Sequence, residues 1–145
     1  MKLLDVNILL ALTLSKHSHH QAAVAWLEGE EQPASLCICR STQQGLLRLL
    51  TTAEVLKLYG NSPLTNQEAW DVIEQFMADD RMTYLDEPTD IEETWKTLAL
   101  RDTSSPKLWM DTWLAAFALC AGLQMVTTDK AFSQFKGLKL ELIIA

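Results

Sequence analysis

The sequence predicts an α/β fold in which a parallel sheet is covered by helices on both faces. Short apolar segments of strand length alternate along the chain with longer segments whose apolar residues recur at helical spacing. The chain has 145 residues, 48% of them hydrophobic and 21% charged, which suits one domain with a substantial core. We therefore expect residues 1–145 to form a single domain.

The first half of the chain starts with a short apolar strand at residues 2–5, followed by a helix at 6–15. A second helix is predicted at 20–29, because its apolar residues have helical spacing and it ends at a glycine. Residues 36–39 follow a proline-containing turn and form the second predicted strand. The leucine-rich segment 42–58 predicts one or two helices.

Capping signals mark the next two predicted helices. Thr65 and Glu68 have the spacing of a capping box, and an apolar stripe follows them. Residues 82–85 form the third predicted strand. Thr89 and Glu92 repeat the capping-box spacing and predict the start of the next helix there.

The last part of the chain contains the longest predicted helix. It begins near Pro106, since proline favours the first helical position, and ends at Gly122. A strand at 124–127, a short helix at 130–135 and a last strand at 138–143 complete the alternating pattern.

The net charge of −7, from 12 basic and 19 acidic residues, argues against a protein that coats nucleic acid by charge alone. It does not exclude a protein that reaches phosphate groups through bound cations, because a metal ion inverts the local charge.

Three cysteines cannot close a disulfide framework, and such an odd, sparse count suits a reducing cytosol. No apolar run has the length of a membrane span. Asp5 and Asn7 interrupt the signal-like start of the chain. We expect a soluble, cytoplasmic protein.

Single carboxylates interrupt apolar sequence at three places. Asp5 is the only charged residue in 3–15, and Asp111 is the only one in 108–128. Asp129 follows the fourth predicted strand, as Asp5 follows the first, and open parallel sheets bind ligands outside such strand ends. Three acids that converge without a basic partner need a hard cation such as Mg²⁺ or Mn²⁺.

Helix capping is the alternative role for two of these acids. Asp5 could cap the helix that starts at Val6, and Asp129 could cap the helix that starts at Lys130. Asp111 lies inside its predicted helix, so capping does not explain it. The three acids together therefore favour a metal site.

Four short motifs occur in order along nearly the whole chain: DVN at 5–7, RSTQQGLLR at 40–48, MDTWLAA at 110–116 and VTTDK at 126–130. With these motifs in this order and spacing, the chain resembles the PIN-domain family. It is most similar to the toxin branch of that family, the VapC-type ribonucleases of bacterial toxin–antitoxin pairs.

The resemblance implies a Rossmann-like, three-layer α/β/α fold around a roughly five-stranded parallel sheet. It also implies an endoribonuclease that depends on Mg²⁺ or Mn²⁺ as cofactor and cleaves RNA phosphodiester bonds. Asp5, Asp111 and Asp129 match the catalytic and metal-binding acids of the family.

Four further residues are expected to support the site. Asn7 matches the small polar position beside the first acid, and Thr128 matches a polar residue that helps to orient the last one. Gln43 falls where many relatives have a glutamate, which predicts a weakened second metal position and slow cleavage. Arg48 is a candidate contact for the RNA phosphates.

The resemblance also implies two protein partners, a second copy of the chain in a homodimer and a VapB-like antitoxin. A cleft rich in acids should attract a cationic peptide. We expect an antitoxin segment to place an arginine or lysine among the three aspartates.

Two functions of other classes remain as alternatives. One is a PIN-like RNA- or protein-binding module in which Gln43 has removed catalysis. The other is a phosphatase of the haloacid-dehalogenase type, which also places an aspartate after its first strand. That class requires a second aspartate where this chain has Asn7, and the motif fits it poorly.

Overall fold

The computed structural model describes the whole chain, from Met1 to Ala145. Its centre is a sheet of five parallel strands in the order β3-β2-β1-β4-β5. The strands are β1 (Lys2–Leu4), β2 (Leu36–Ile38), β3 (Met82–Tyr84), β4 (Gln124–Thr127) and β5 (Leu140–Leu142). This sheet confirms the predicted α/β class.

Seven α-helices connect the strands. They are α1 (Val6–Thr13), α2 (His20–Glu28), α3 (Arg40–Leu50), α4 (Ala53–Leu58), α5 (Asn66–Ala78), α6 (Ile91–Ala99) and α7 (Leu108–Ala121). A short 3₁₀ helix, Lys130–Gln134, lies between β4 and β5. None of the helices is long and apolar enough to cross a membrane.

Two hydrophobic cores lie on opposite faces of the sheet, because successive strand residues point to opposite sides. Leu4 of β1 belongs to one core, together with Ile8 of α1 and Leu46 of α3. Leu3, the preceding residue, belongs to the other core, which contains Phe117 of α7. The result is a three-layer α/β/α arrangement.

The segment 42–58, for which the sequence predicted one or two helices, forms two, α3 and α4, with a break at Thr51 and Thr52. The hydroxyl of Thr52 donates to the carbonyl of Arg48 at 2.6 Å, and side-chain bonds of this kind compete with helix continuation. The long helix α7 starts two residues later than predicted, at Leu108.

Of the two predicted capping boxes, one forms. The Thr65 hydroxyl accepts from the N–H of Glu68 at 3.1 Å, and the Glu68 carboxylate accepts from the N–H of Thr65 at 3.0 Å. The prediction for Thr89 is wrong, because α6 begins at Ile91 with Asp90 as its N-cap and without a side-chain capping bond.

The strand order places a crevice between β1 and β4. From β1 the chain proceeds outward to β2 and β3 on one side, and then to β4 and β5 on the other. Such a reversal separates the connections that follow the two neighbouring strands, and ligands bind there at the carboxyl ends. Asp5 directly follows β1, and the segment 127–129 ends β4.

Candidate active site

Asp5 is a buried carboxylate at the end of β1. Only 5% of its surface is exposed, and it precedes the first residue of α1. Its side chain makes no capping bond to α1, so the capping role considered for Asp5 is wrong. Instead, the carboxylate accepts a hydrogen bond from the hydroxyl of Thr127 at 2.6 Å.

Thr127 connects the acids that follow the two central strands. Its hydroxyl donates to Asp5, and the same oxygen accepts a hydrogen bond from the backbone N–H of Asp129 at 3.0 Å. Thr127 is fully buried, which holds this arrangement rigid. The orienting role expected for Thr128 therefore belongs to the preceding residue, because Thr127 is the one whose side chain points to the end of β1.

Asp111 lies in the first turn of α7 and lines the same cleft as Asp5. The cleft has a volume of about 190 Å³. Besides the two acids it is lined by residues of α1, α3 and α7: Val6, Ser41, Thr42, Gly45, Arg48, Leu49, Met110 and Leu114. The structure thus brings together two of the three predicted acids in one cavity.

Asp129 caps the 3₁₀ helix, as the alternative assignment predicted. One carboxylate oxygen accepts from the N–H of Ala131 at 2.9 Å. Asp129 does not line the cleft itself, but its charge acts on both Asp5 and Asp111. Capping uses one oxygen of the carboxylate, and the other makes no hydrogen bond.

The electrostatics of the cleft are those of uncompensated negative charge. Burial raises the pKa of Asp5 from 3.8 to about 6, and repulsion from Asp111 and Asp129 adds to this increase. The hydrogen bond from Thr127 opposes it most, and the nearby Val6 N–H adds to this effect, because both favour the charged carboxylate. Partial burial, followed by the charge of Asp129, also raises the pKa of Asp111.

No basic side chain of the protein forms an ion pair with these acids. The three ion pairs of the chain are Lys2–Glu30, Lys2–Glu141 and Asp79–Arg81, and none of them includes an acid of the cleft. The acids of the cleft therefore have no ion-pair partner within the chain, a situation that favours a bound cation.

The donor set of the cleft fits a hard cation. Carboxylate oxygens are the ligands that Mg²⁺ and Mn²⁺ prefer, and Mg²⁺ usually keeps several waters and binds through one or two carboxylates. No three His, Cys, Asp or Glu side chains are arranged to hold a metal ion together. A cation held by the two carboxylates of Asp5 and Asp111, with water as its other ligands, fits both the carboxylate preference and the absence of a three-residue ligand cluster.

Two of the expected supporting residues lie outside the cleft. Gln43 does not line it, and its amide oxygen accepts a hydrogen bond from Arg40 on the surface of α3. The placement of Gln43 beside a metal position is therefore corrected, because Ser41, Gly45 and Arg48 present the cleft-facing side of α3. Asn7 is partly buried in α1 and does not line the cleft either.

Arg48 is the residue named from the sequence as a candidate contact for RNA phosphate. Its exposed side chain lines the cleft and is the only basic side chain that does so. The guanidinium group makes neither a hydrogen bond nor an ion pair within the protein. Its donors are therefore free for an anionic ligand.

Sequence reasoning missed two residues that shape the cleft, Thr127 and Gly45. At Gly45 a Cβ atom would lie 3.3 Å from Val6 Cγ2, so the glycine lets α3 approach α1 closely beside Asp5. A glycine inside a helix costs about 1 kcal/mol relative to alanine, and this disadvantage was the available sign of a packing role. The sequence contained no comparable indication for Thr127, because it does not show which of the adjacent threonines 127 and 128 points to the end of β1.

The sequence matches the family model of the PIN domain over residues 2–138. It is 50% identical to "Ribonuclease VapC41" of Mycobacterium tuberculosis over 144 residues, which cover 99% of both chains. "Ribonuclease VapC44" of the same organism is 29% identical over 140 residues, covering 90% of this chain and 87% of that protein.

Solved structures of the same fold come from toxin–antitoxin complexes. VapBC-1 from nontypeable Haemophilus influenzae superposes with a TM-score of 0.66 at 16% identity, covering 97% of this chain and 96% of that one. DNA-bound VapBC from Salmonella typhimurium gives a TM-score of 0.65 at 20% identity, covering 99% and 98%. At these identities the likeness is one of fold.

Proposed function

This chain belongs to the PIN domain family, and on that premise we propose that it is a VapC-type ribonuclease toxin neutralised by a VapB-like antitoxin. The observation that carries the proposal is the pair Asp5 and Asp111 in one cleft at the reversal of strand order, with Asp129 close enough to raise the pKa of both. A sequence identity of 50% over 99% of the chain to a protein named a ribonuclease supports the same activity.

We further propose that the enzyme depends on Mg²⁺ or Mn²⁺, held by Asp5 and Asp111 directly and by Asp129 through water. When bound, such a cation offsets the charge of the phosphodiester and makes water a better nucleophile at neutral pH. Thr127 holds the Asp5 carboxylate in place through its 2.6 Å hydrogen bond, so the ligand does not have to be reorganised during the reaction.

Arg48 is proposed to bind the RNA phosphate. Its free guanidinium group lines the cleft opposite a set of acids that would otherwise repel the substrate. The low exposure of Asp5 and Thr127 indicates that the floor of the cleft excludes bulk water, which strengthens these charge interactions.

The antitoxin is proposed to insert a cationic segment into the same cleft, because the carboxylates there have no partner within the chain. A homodimer is the assembly that we propose for the toxin itself. Gln43 lies outside the cleft, so its missing charge gives no reason to expect a non-catalytic module. Membership of the PIN domain family excludes the phosphatase alternative.

The test is cleavage of RNA by the purified chain in Mg²⁺ or Mn²⁺, compared with Asp5→Asn and Asp111→Asn. Each variant should lower the cleavage rate by at least about 100-fold, the scale seen when a preorganised charge-stabilising group is removed. EDTA should abolish cleavage by the unmodified chain.

Asp80→Asn is the matched control, because this exposed aspartate precedes β3 at the opposite end of the sheet. It should leave the rate unchanged. Cleavage that persists in EDTA would contradict the metal requirement, and full activity of both cleft variants would contradict the assignment of the site.

A further inference from the structure

A second pocket adjoins the cleft on the other side of Arg48. It has a volume of about 250 Å³ and lies between α3 and α5. Its lining comprises Leu47, Arg48, Thr51, Asn66, Ala69 and Trp70. Arg48 lines both cavities, so its side chain is the point at which they adjoin.

The aromatic wall of the pocket is Trp70, which is 45% exposed on a helix anchored by buried Ala69 and Ile73. Its indole N–H has no hydrogen-bond partner, in contrast to Trp26, which donates to Glu141, and Trp95, which donates to the Trp109 carbonyl. An exposed tryptophan on a rigid helix offers a flat apolar face together with a free donor.

Polar groups around Trp70 are likewise free. Asn66 lies one helical turn before Trp70 on the same face of α5, and its side-chain amide makes no hydrogen bond. Thr51 donates its hydroxyl proton to the Leu47 carbonyl, which leaves the hydroxyl oxygen as an acceptor. The pocket thus combines an aromatic face, an amide, a hydroxyl and an unpaired cation.

We propose that this pocket is a nucleobase subsite, which takes the unstacked base of the nucleotide adjacent to the phosphodiester in the cleft. The base stacks on Trp70, Asn66 hydrogen-bonds its edge, and Arg48 holds the intervening phosphate. This proposal rests on the proposed ribonuclease function and requires the base to be unstacked, because a base inside a duplex cannot enter the pocket.

The same chemistry argues against an apolar peptide as the occupant. Such a peptide would leave the Arg48 guanidinium and the Asn66 amide buried without partners, at an energetic cost. A nucleotide satisfies both, and its flat base matches the aromatic wall.

The first experiment follows the five tryptophan indole N–H signals by NMR during titration with AMP, GMP, CMP or UMP. The Trp70 signal is identified by its absence from Trp70→Phe. At least one nucleotide should shift the Trp70 signal, whereas ribose 5-phosphate, which lacks a base, should leave it in place. The absence of a Trp70 shift with all four nucleotides, or an equal shift with ribose 5-phosphate, would overturn the proposal.

The second experiment measures binding of a short, labelled single-stranded RNA of mixed sequence in EDTA by fluorescence anisotropy. Trp70→Leu keeps an apolar side chain but removes the ring, and it should weaken binding by about 10-fold or more. Trp70→Phe should retain most of the affinity. Leu58→Ala, which removes a side chain that is 79% exposed elsewhere, should bind as the unmodified chain does.

Light scattering on the same variants tests whether the pocket is instead a contact between two copies of the chain. If Trp70→Leu changes the mass in solution, the pocket is a contact between copies and the proposal fails. Binding in EDTA does not require cleavage, so the two proposals can fail separately. A chain that cleaves RNA without a Trp70 response retains the ribonuclease function but not the subsite, and one that shows the response without cleavage retains only the subsite.

Discussion

At the scale of single residues, the molecule keeps a destabilising charge at its centre. Asp5 is 5% exposed, and its pKa of about 6 lies above the ordinary value of 3.8. Because the folded state holds the proton more tightly than the unfolded chain does, ionisation of Asp5 opposes folding. The one strong compensation inside the protein is the hydrogen bond from Thr127, and the rest of the charge is left for a ligand.

The pH dependence of stability follows from the direction of this shift. For metal-free protein, the contribution of Asp5 is most favourable below about pH 4, where the carboxyl is protonated in both states, and it is lost as the pH rises through about 6. A shift of about two pKa units corresponds to about 3 kcal/mol. Stability that Asp5 contributes should therefore fall by up to this amount between pH 4 and pH 7.5.

Asp5→Asn should accordingly be more stable than the unmodified chain in EDTA at pH 7.5, by up to about 3 kcal/mol, and should lose this advantage near pH 4. Asparagine keeps an acceptor for Thr127 but removes the buried charge. Urea unfolding of both proteins at the two pH values measures the difference, with Asp80→Asn as an exposed control. An Asp5→Asn chain that is less stable at pH 7.5 would show that the charge is better compensated than the structure indicates.

At the scale of elements, the starts of α5 and α6 show that the same capping-box spacing forms a cap in one helix and not in the other. The Thr65–Glu68 box forms because both side chains are exposed and free to bond to the backbone of α5. Thr89 and Glu92 have the same spacing, but the chain enters α6 one residue later through Asp90, so the hydroxyl of Thr89 does not reach the helix backbone.

This difference predicts unequal effects of the same substitution. Thr65→Ala should lower the free energy of unfolding by about 1 kcal/mol, because it leaves a backbone N–H of α5 without its acceptor. Thr89→Ala is the matched control and should change stability little. Chemical denaturation of the two variants decides the matter, and equal losses would mean that Thr89 makes a cap that the structure does not contain.

At the scale of the whole molecule, charge determines which partners the chain can accept. Its net charge is −7, and the unpaired acids are concentrated at one end of the sheet. In the proposed function a polyanionic RNA would be held there through a cation or through Arg48, whereas a cationic peptide could occupy the same place directly. Substrate and antitoxin are thus expected to compete for the same carboxylates.

A short arginine-rich peptide should consequently bind the metal-free chain and raise its melting temperature. Binding should weaken as salt is added, because the interaction is electrostatic. Asp111→Asn should reduce the affinity, and Asp80→Asn should reduce it much less, since Asp80 lies far along the sheet from the cleft. Calorimetric titration measures both; equal affinity of the two variants would place the peptide elsewhere on the acidic surface.

The amino-acid sequence by itself determined the features that depend on neighbouring residues. The alternation of apolar segments predicted the α/β class, Gly122 ended α7 in the left-handed conformation at φ 67°, and the acids at the ends of β1 and β4 marked the edge where the cleft lies. These features follow from local periodicity and backbone preference, which act over a few residues.

Only the tertiary structure decided which polar residues face the cleft. Thr127 rather than Thr128 bonds to Asp5, and Arg48 rather than Gln43 lines the cavity. One position along a strand reverses the direction of the side chain, and one position along a helix rotates it by about 100°. The phase of each element is set by the cores on the two faces of the sheet, so it becomes definite only when the layers pack.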